Sequence, residues 1–163
     1  MQWLDLLPHD VHDVAARLRE HGHRSWLVGG SVRDALLARP IGDFDLATSA
    51  RPEEVLRLFR KAIPTGIQHG TVTVVTPRRH VEVTTLRGET TYSDGRHPDS
   101  VAFVDDIVAD LARRDFTINA IAVDTATGVA VDPFDGQRDL AARVLRAVGD
   151  ADARFAEIGR AHV

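Results

Sequence analysis

Leu27-Val28-Gly29-Gly30-Ser31-Val32-Arg33-Asp34-Ala35-Leu36-Leu37-Ala38-Arg39-Pro40-Ile41-Gly42-Asp43-Phe44-Asp45-Leu46-Ala47-Thr48 is the stretch on which the fold turns. Trp26, Leu27 and Val28 form a short apolar run that halts at two glycines, and Ser31, a residue type favoured at helix N-caps, opens a helical segment over residues 32–37. A strand, a glycine turn and a helix N-terminus in that order can hold phosphate. Glycine lets the backbone approach a ligand closely, and the first helical N–H groups point outward with the positive end of the dipole. Arg33 adds a cation beside the turn. Pro40 and Gly42 then break the helix, and Asp43-Phe44-Asp45-Leu46 follows with a period of two, Phe44 and Leu46 facing one side and Asp43 and Asp45 the other. Two carboxylates on one strand face beside a phosphate-sized turn make the hard oxygen set that Mg²⁺ prefers when it also holds a triphosphate. Taken singly, a Gly-Gly pair is usually only a turn and an Asp-x-Asp usually a solvated strand face; their joint spacing is what points to chemistry.

Working outward, residues 8–21 carry Val11, Val14, Ala15 and Leu18 at helical spacing, Gly22 ends that helix, and residues 24–28 form the strand entering the glycine turn. Pro52 at a first helical position, with Glu53 and Glu54 in the first turn, announces another helix with Val55, Leu56, Leu58 and Phe59 inside. A polar turn over 66–70 precedes a strand over 71–76, and Pro77-Arg78-Arg79-His80 turns a hairpin back along 81–86. In the polar turn, His69 reads either as a base or as a turn histidine bonded to backbone. On the returning strand Val81, Val83 and Thr85 face one way and Glu82, Thr84 and Leu86 the other. Glu82 is either a third carboxylate beside Asp43 and Asp45 or a strand-edge surface acid, because register is not legible in sequence. Residues 88–100 read as a long loop, 105–111 as a helix, and Asp115 and Asn119 fall one turn apart if the helical pattern continues. A short strand over 129–131, a turn over 132–136, a helix over 137–142 and a last strand over 143–147 complete the chain's pattern. Strands alternating with helices, yet including a hairpin, predict an α+β domain with a mixed sheet flanked by helices.

Composition sets the class. The 163 residues suffice for one domain with a sizeable core, and 44% hydrophobic with 27% charged content is that of an ordinary globular protein. There is no cysteine, which excludes disulfides, thiol nucleophiles and thiolate metal sites. Short apolar runs and an N-terminus without a basic-then-apolar pattern predict no signal peptide, no membrane span and a cytoplasmic location. The net charge of −4 argues against a uniformly basic nucleic-acid module, but 19 of the 20 basic residues are Arg, whose planar fork suits a local phosphate site.

Gly29-Gly30-Ser31-Val32-Arg33-Asp34 and Asp43-Phe44-Asp45-Leu46-Ala47-Thr48 closely resemble the head domain of class II tRNA nucleotidyltransferases (CCA-adding enzymes) and bacterial poly(A) polymerases, within the DNA polymerase beta superfamily. The resemblance continues through Gly66–Val72, Val81–Arg87, Tyr92–Pro98, Arg113–Ala120 and Asp132–Gly136, and covers nearly all of residues 20 to 156. It implies a polymerase-beta-like palm over residues 1–148, followed by the start of a helical neck over 149–157. It implies template-independent transfer of CMP and AMP from CTP and ATP to the 3′ end of tRNA, with Mg²⁺ held by Asp43 and Asp45 and Glu82 as the third catalytic acid. Gly29, Gly30, Arg33 and Arg114 would hold the triphosphate, Asp115 and Asn119 would make ribose or structural contacts, and the 88–100 loop would influence nucleotide choice. Polyadenylation, or nucleotide binding without catalysis, are the alternatives.

The pattern departs from the family after Glu157. There the family carries Asp-x-x-Arg, whose Asp and Arg read the base, whereas this chain has Ile158-Gly159-Arg160-Ala161-His162-Val163. Decoded as ATC-GGA-AGA-GCA-CAC-GTC, those six residues match a short-read sequencing adapter, so residues 158–163 are expected to be a non-native tail and little CCA addition is expected of these 163 residues alone.

Overall fold

Alternation along the strands decides the architecture. In this computed structural model, which describes residues 1–88 and 102–149, Phe44 and Leu46 are buried against one face of a sheet while Asp45 and Ala47 lie on the other. The elements run α1 (His9–Glu20), β1 (Ser25–Val28), α2 (Gly30–Leu36), β2 (Phe44–Thr48), α3 (Pro52–Leu58), β3 (Ala62–Gly66), β4 (Thr71–Val75), β5 (His80–Thr85), α4 (Ile107–Ala112), β6 (Ala122–Asp124), β7 (Ala130–Val131) and α5 (Gly136–Ala142). The seven strands lie in the order β3-β4-β5-β2-β1-β6-β7. β2 and β5 run parallel, and the other neighbouring pairs are antiparallel, so the sheet is mixed as expected.

One face carries the main core. Leu27, Leu46 and Val83 meet Val14 and Leu18 of α1 and Val55 of α3, and burying each such side chain stabilises the fold by about 1.5–3 kcal/mol. The opposite face is apolar over only part of its extent, where Trp26, Ala47 and Leu86 pack against Ile107 and Leu111 of α4. The remainder of that face is left to Asp45, Glu82 and Thr73, so the fold places its acids on the half of the sheet that no described helix covers with apolar groups.

Three local expectations change. Residues 113–122 do not continue a helix. Phe116 N–H bonds its neighbour's Asp115 Oδ1 at 2.6 Å, Thr117 N–H bonds Arg146 O at 2.9 Å and Val148 N–H bonds Asp115 O at 2.9 Å, so the backbone pairs with the C-terminal segment instead of with itself. Only a 3₁₀ turn, Thr117–Asn119, remains before β6. For the same reason the expected strand over 143–147 is reduced to a single bridge between Phe116 and Ala147. β3 is not legible in the sequence because Pro64 interrupts its pattern; as the outermost of the described strands it has no second neighbour among them to which that missing N–H would donate. The loop expected over 88–100, past Gly88 itself, and the tail expected over 158–163 lie outside the described residues.

Candidate active site

Strand register brings the acids together. Asp45 on β2 is the direct partner of Glu82 on the parallel neighbour β5, so the two side chains emerge on one face. Glu82 is therefore interior to the sheet rather than an edge acid. Asp43 is exposed one residue before β2, and Asp45 and Glu82 are half-buried. Burial pushes the Asp45 carboxyl above the ordinary carboxylate range; the charges of Glu82 and Asp43 push it further, and Arg114 pulls part of the way back. Glu82 Oε1 accepts from Thr73 Oγ1 at 2.6 Å, and Thr73 and Thr65 hydroxyls are 2.7 Å apart. With Thr73 donating to the carboxylate, Thr65 donates to Thr73, and a hydroxyl chain backs the acid.

The glycine turn lies directly beside these acids. Gly29 takes φ +74°, a conformation that side-chain-bearing residues rarely adopt, and a Cβ built there would lie 3.8 Å from Asp45 Oδ2 and 3.9 Å from Arg114 Nη1. Arg33 folds back over Gly30, its Nη2 3.2 Å from a Cβ built on that residue. Gly29 rather than Ser31 occupies the cap position of α2, since Ser31 Oγ donates to Val28 O at 2.9 Å and is buried. With α2 only seven residues long, the positive charge at the turn comes chiefly from the two arginines.

Each arginine is held by another side chain. Arg33 Nη1 donates to Asn119 Oδ1 at 3.0 Å, and Asn119 Nδ2 donates to Asp115 Oδ1 at 3.2 Å. Arg114 Nη2 donates at 3.0 Å to Oδ1 of Asp110, which is only 1% exposed. Nothing in the sequence sets Asp110 apart, because an acid four residues before an arginine on a helix reads as a surface pair. His69 is exposed on the 3₁₀ turn Ile67–His69, which closes through Gly70 N–H to Ile67 O at 3.0 Å, in keeping with a turn histidine.

All nine expected site residues thus gather at one end of the sheet's polar face: the acids on β2, β5 and the approach to β2, and the arginine group on α2, after α4 and on the turn before β6. The sequence model of the poly A polymerase head domain matches residues 25–146. The chain belongs to that family. This head domain is 52% identical over 144 residues to the CCA-adding enzyme of Geobacillus thermodenitrificans, a match covering 88% of this chain and 35% of the relative. It superposes with a TM-score of 0.82, at 44% identity and over 92% of its length, on 36% of the Bacillus stearothermophilus CCA-adding enzyme solved in complex with CTP. A tRNA nucleotidyltransferase complexed with a primer tRNA and an incoming ATP analog superposes with a TM-score of 0.66 at 32% identity, over 83% of this chain and 39% of that one. The head domain described here therefore spans about a third of the length of such relatives.

The donor set suits a hard divalent cation. Asp43, Asp45 and Glu82 offer carboxylate oxygens alone, and the burial and mutual repulsion that raise Asp45 are what such a cation would offset. Among the described residues no three His, Asp or Glu side chains stand close enough together to enclose a metal ion by themselves. No described helix is long and apolar enough to cross a membrane.

Proposed function

We propose that this chain is the nucleotide-binding and catalytic head of a CCA-adding nucleotidyltransferase, transferring CMP and AMP from CTP and ATP to the 3′ end of tRNA in the cytoplasm, with residues 1–148 as the head unit. The observation that carries the reading is the pairing of Asp45 with Glu82 across parallel strands, directly beside a Gly29 turn flanked by Arg33 and Arg114. Relatives solved with CTP, and with a primer tRNA and an ATP analog, support the choice of substrates.

In this reading Asp43 and Asp45, with Glu82, hold Mg²⁺, which when bound supplies charge neutralisation for the triphosphate and for the attacking hydroxyl. The chain's own residues do the rest. Gly29 and Gly30 clear space for the phosphates, and Arg33 and Arg114 neutralise and orient them through planar guanidinium groups. Asn119 and Asp115 hold Arg33 and present polar groups toward the sugar. Strand register places Glu82, and Thr73 donates a hydrogen bond to it. Positioning and fixed charge, rather than a covalent intermediate, carry such a transfer.

Because the chain spans about a third of its relatives, a second reading applies to these residues by themselves: binding of CTP and ATP with Mg²⁺ but little transfer. One experiment addresses both. The protein is incubated with labelled CTP and ATP, magnesium and tRNA lacking its 3′ terminus, alongside Asp43→Ala and Asp45→Ala. Incorporation that falls about a thousandfold in both variants supports transfer. Nucleotide binding without incorporation favours the binding reading, and transfer retained in either variant would refute the assignment of the acids.

A further inference from the structure

We propose that Asp110 is the positioning residue for Arg114: it takes one end of the guanidinium so that the other end is aimed at the triphosphate over the Gly29 turn. The proposal rests on Arg114 being a phosphate ligand. The geometry is specific. Asp110 Oδ1 accepts from Arg114 Nη2 at 3.0 Å, while Oδ2 accepts from the backbone N–H of Arg87 at 2.9 Å and lies 3.8 Å from Arg113 Nη2. Asp110 is thus fixed from two sides, by the chain leaving β5, the strand that carries Glu82, and by the segment that follows α4.

A guanidinium is a rigid plane, so holding Nη2 sets where Nη1 points. Nη1 stands 3.9 Å from the position a Gly29 Cβ would occupy, on the same spot that Asp45 Oδ2 approaches to 3.8 Å. Arg114 Nε is buried and finds no acceptor among the described residues, so the aim is set through Nη2. A buried carboxylate is also a poor choice for stability alone, since a well-packed apolar residue commonly does as well. Its presence here makes sense if the orientation of Arg114 is what matters.

Two probes separate phosphate recognition from base and sugar recognition: CTP with magnesium, and inorganic tripolyphosphate with magnesium, each titrated against the 163-residue chain while its thermal midpoint is followed. Asp110→Asn is expected to weaken both probes by about 10- to 100-fold, the usual range for a group that orients a ligating side chain. In an Arg114→Ala background the same change should cost nothing further, because the group it orients is gone. Asp110→Glu keeps the charge and displaces the carboxylate by one methylene, so it should fold and still bind both probes more weakly. Arg114→Ala that binds tripolyphosphate like the wild type would overturn the phosphate reading of Arg114 and this proposal with it. Loss in Arg114→Ala, but wild-type affinity in Asp110→Glu or fully additive losses in the double variant, would overturn the role of Asp110 alone.

Discussion

The acids and the arginines meet at one glycine turn but are put there by different means. Asp45 and Glu82 are fixed by strand register: β2 and β5 pair in parallel, and the positions of the two side chains follow from the backbone ladder. Arg33 and Arg114 sit on a seven-residue helix and on the segment after a six-residue helix, and each is aimed by a hydrogen bond to another side chain, Asn119 from the turn before β6 for one and Asp110 from the preceding helix for the other. The acid half is as rigid as the sheet. The cationic half is as rigid as its supporting side chains: the Arg87 N–H holds Asp110, and α5 backs the turn that carries Asn119.

That support predicts the largest effect. Gly136 opens α5 directly against the turn that carries Asn119, and a Cβ added to it would lie 2.1 Å from Thr117 O and 2.9 Å from Ile121 Cγ1. Neither backbone nor buried Ile121 can give way by that much. Gly136→Ala is therefore expected to destabilise the fold by about 3 kcal/mol, the upper end for overpacking, and to weaken tripolyphosphate binding by displacing Asn119 and with it Arg33. Urea unfolding and a binding titration check the two parts. A stable variant with unaltered binding would mean that α5 does not set the cationic half.

A matched pair of truncations sharpens the contrast. Thr73→Val removes the hydroxyl that donates to Glu82 but leaves the β4–β5–β2 register intact, so nucleotide affinity should change by no more than about 3-fold, while stability falls by about 1.5–3 kcal/mol, the range for a hydrogen bond to a charged acceptor. Asn119→Ala removes the partner of Arg33 Nη1, and should weaken CTP and tripolyphosphate together by about tenfold. Equal losses in the two variants would show that the acids, too, depend on side-chain support.

The same contrast explains what could be read from the sequence. Period-two alternation over 43–46 and 81–86 was enough to put Asp43 and Asp45 on one face and Glu82 opposite Val81 and Val83, because a strand's side-chain directions are set by counting. Which strands neighbour each other is not a local property, so the Asp45–Glu82 pairing waited for the sheet order. The glycine turn and Arg33 were legible as a strand-to-helix junction, although Ser31 bonds the preceding strand instead of capping. Asp110 was not legible, since nothing in a helical pattern tells a buried i,i+4 pair from an exposed one. The 113–122 segment misled for a related reason: Asp115 and Asn119 are spaced for a helix and do bond each other, but within a turn whose backbone pairs with residues 146 and 148.

The smallest effect concerns charge beneath that turn. Asp139 is 2% exposed and accepts from Thr117 Oγ1 at 2.7 Å and Arg146 Nε at 3.1 Å. The bond from Thr117 holds its carboxyl below the ordinary value of 3.8; burial opposes this, and Arg146 and Arg138 add to the lowering. A carboxyl whose folded value is depressed contributes stability that is present above its unfolded value and lost as pH falls through the folded one. The wild type should therefore be more stable than Asp139→Asn near neutral pH, and the gap should close as the pH drops below 3.8. Asp10, also lowered because bonds from Thr76 and Arg79 outweigh its burial, gives both proteins the same acid slope, which cancels in the difference. Urea midpoints for the two proteins from about pH 7 down to about pH 2 measure that difference. A gap that persists at the acid end would mean that Asp139 anchors Thr117, and through it Asn119 and Arg33, by shape and hydrogen bonding rather than by charge. The cationic half of the site would then owe its rigidity to packing in the same way that the acid half owes its rigidity to the sheet.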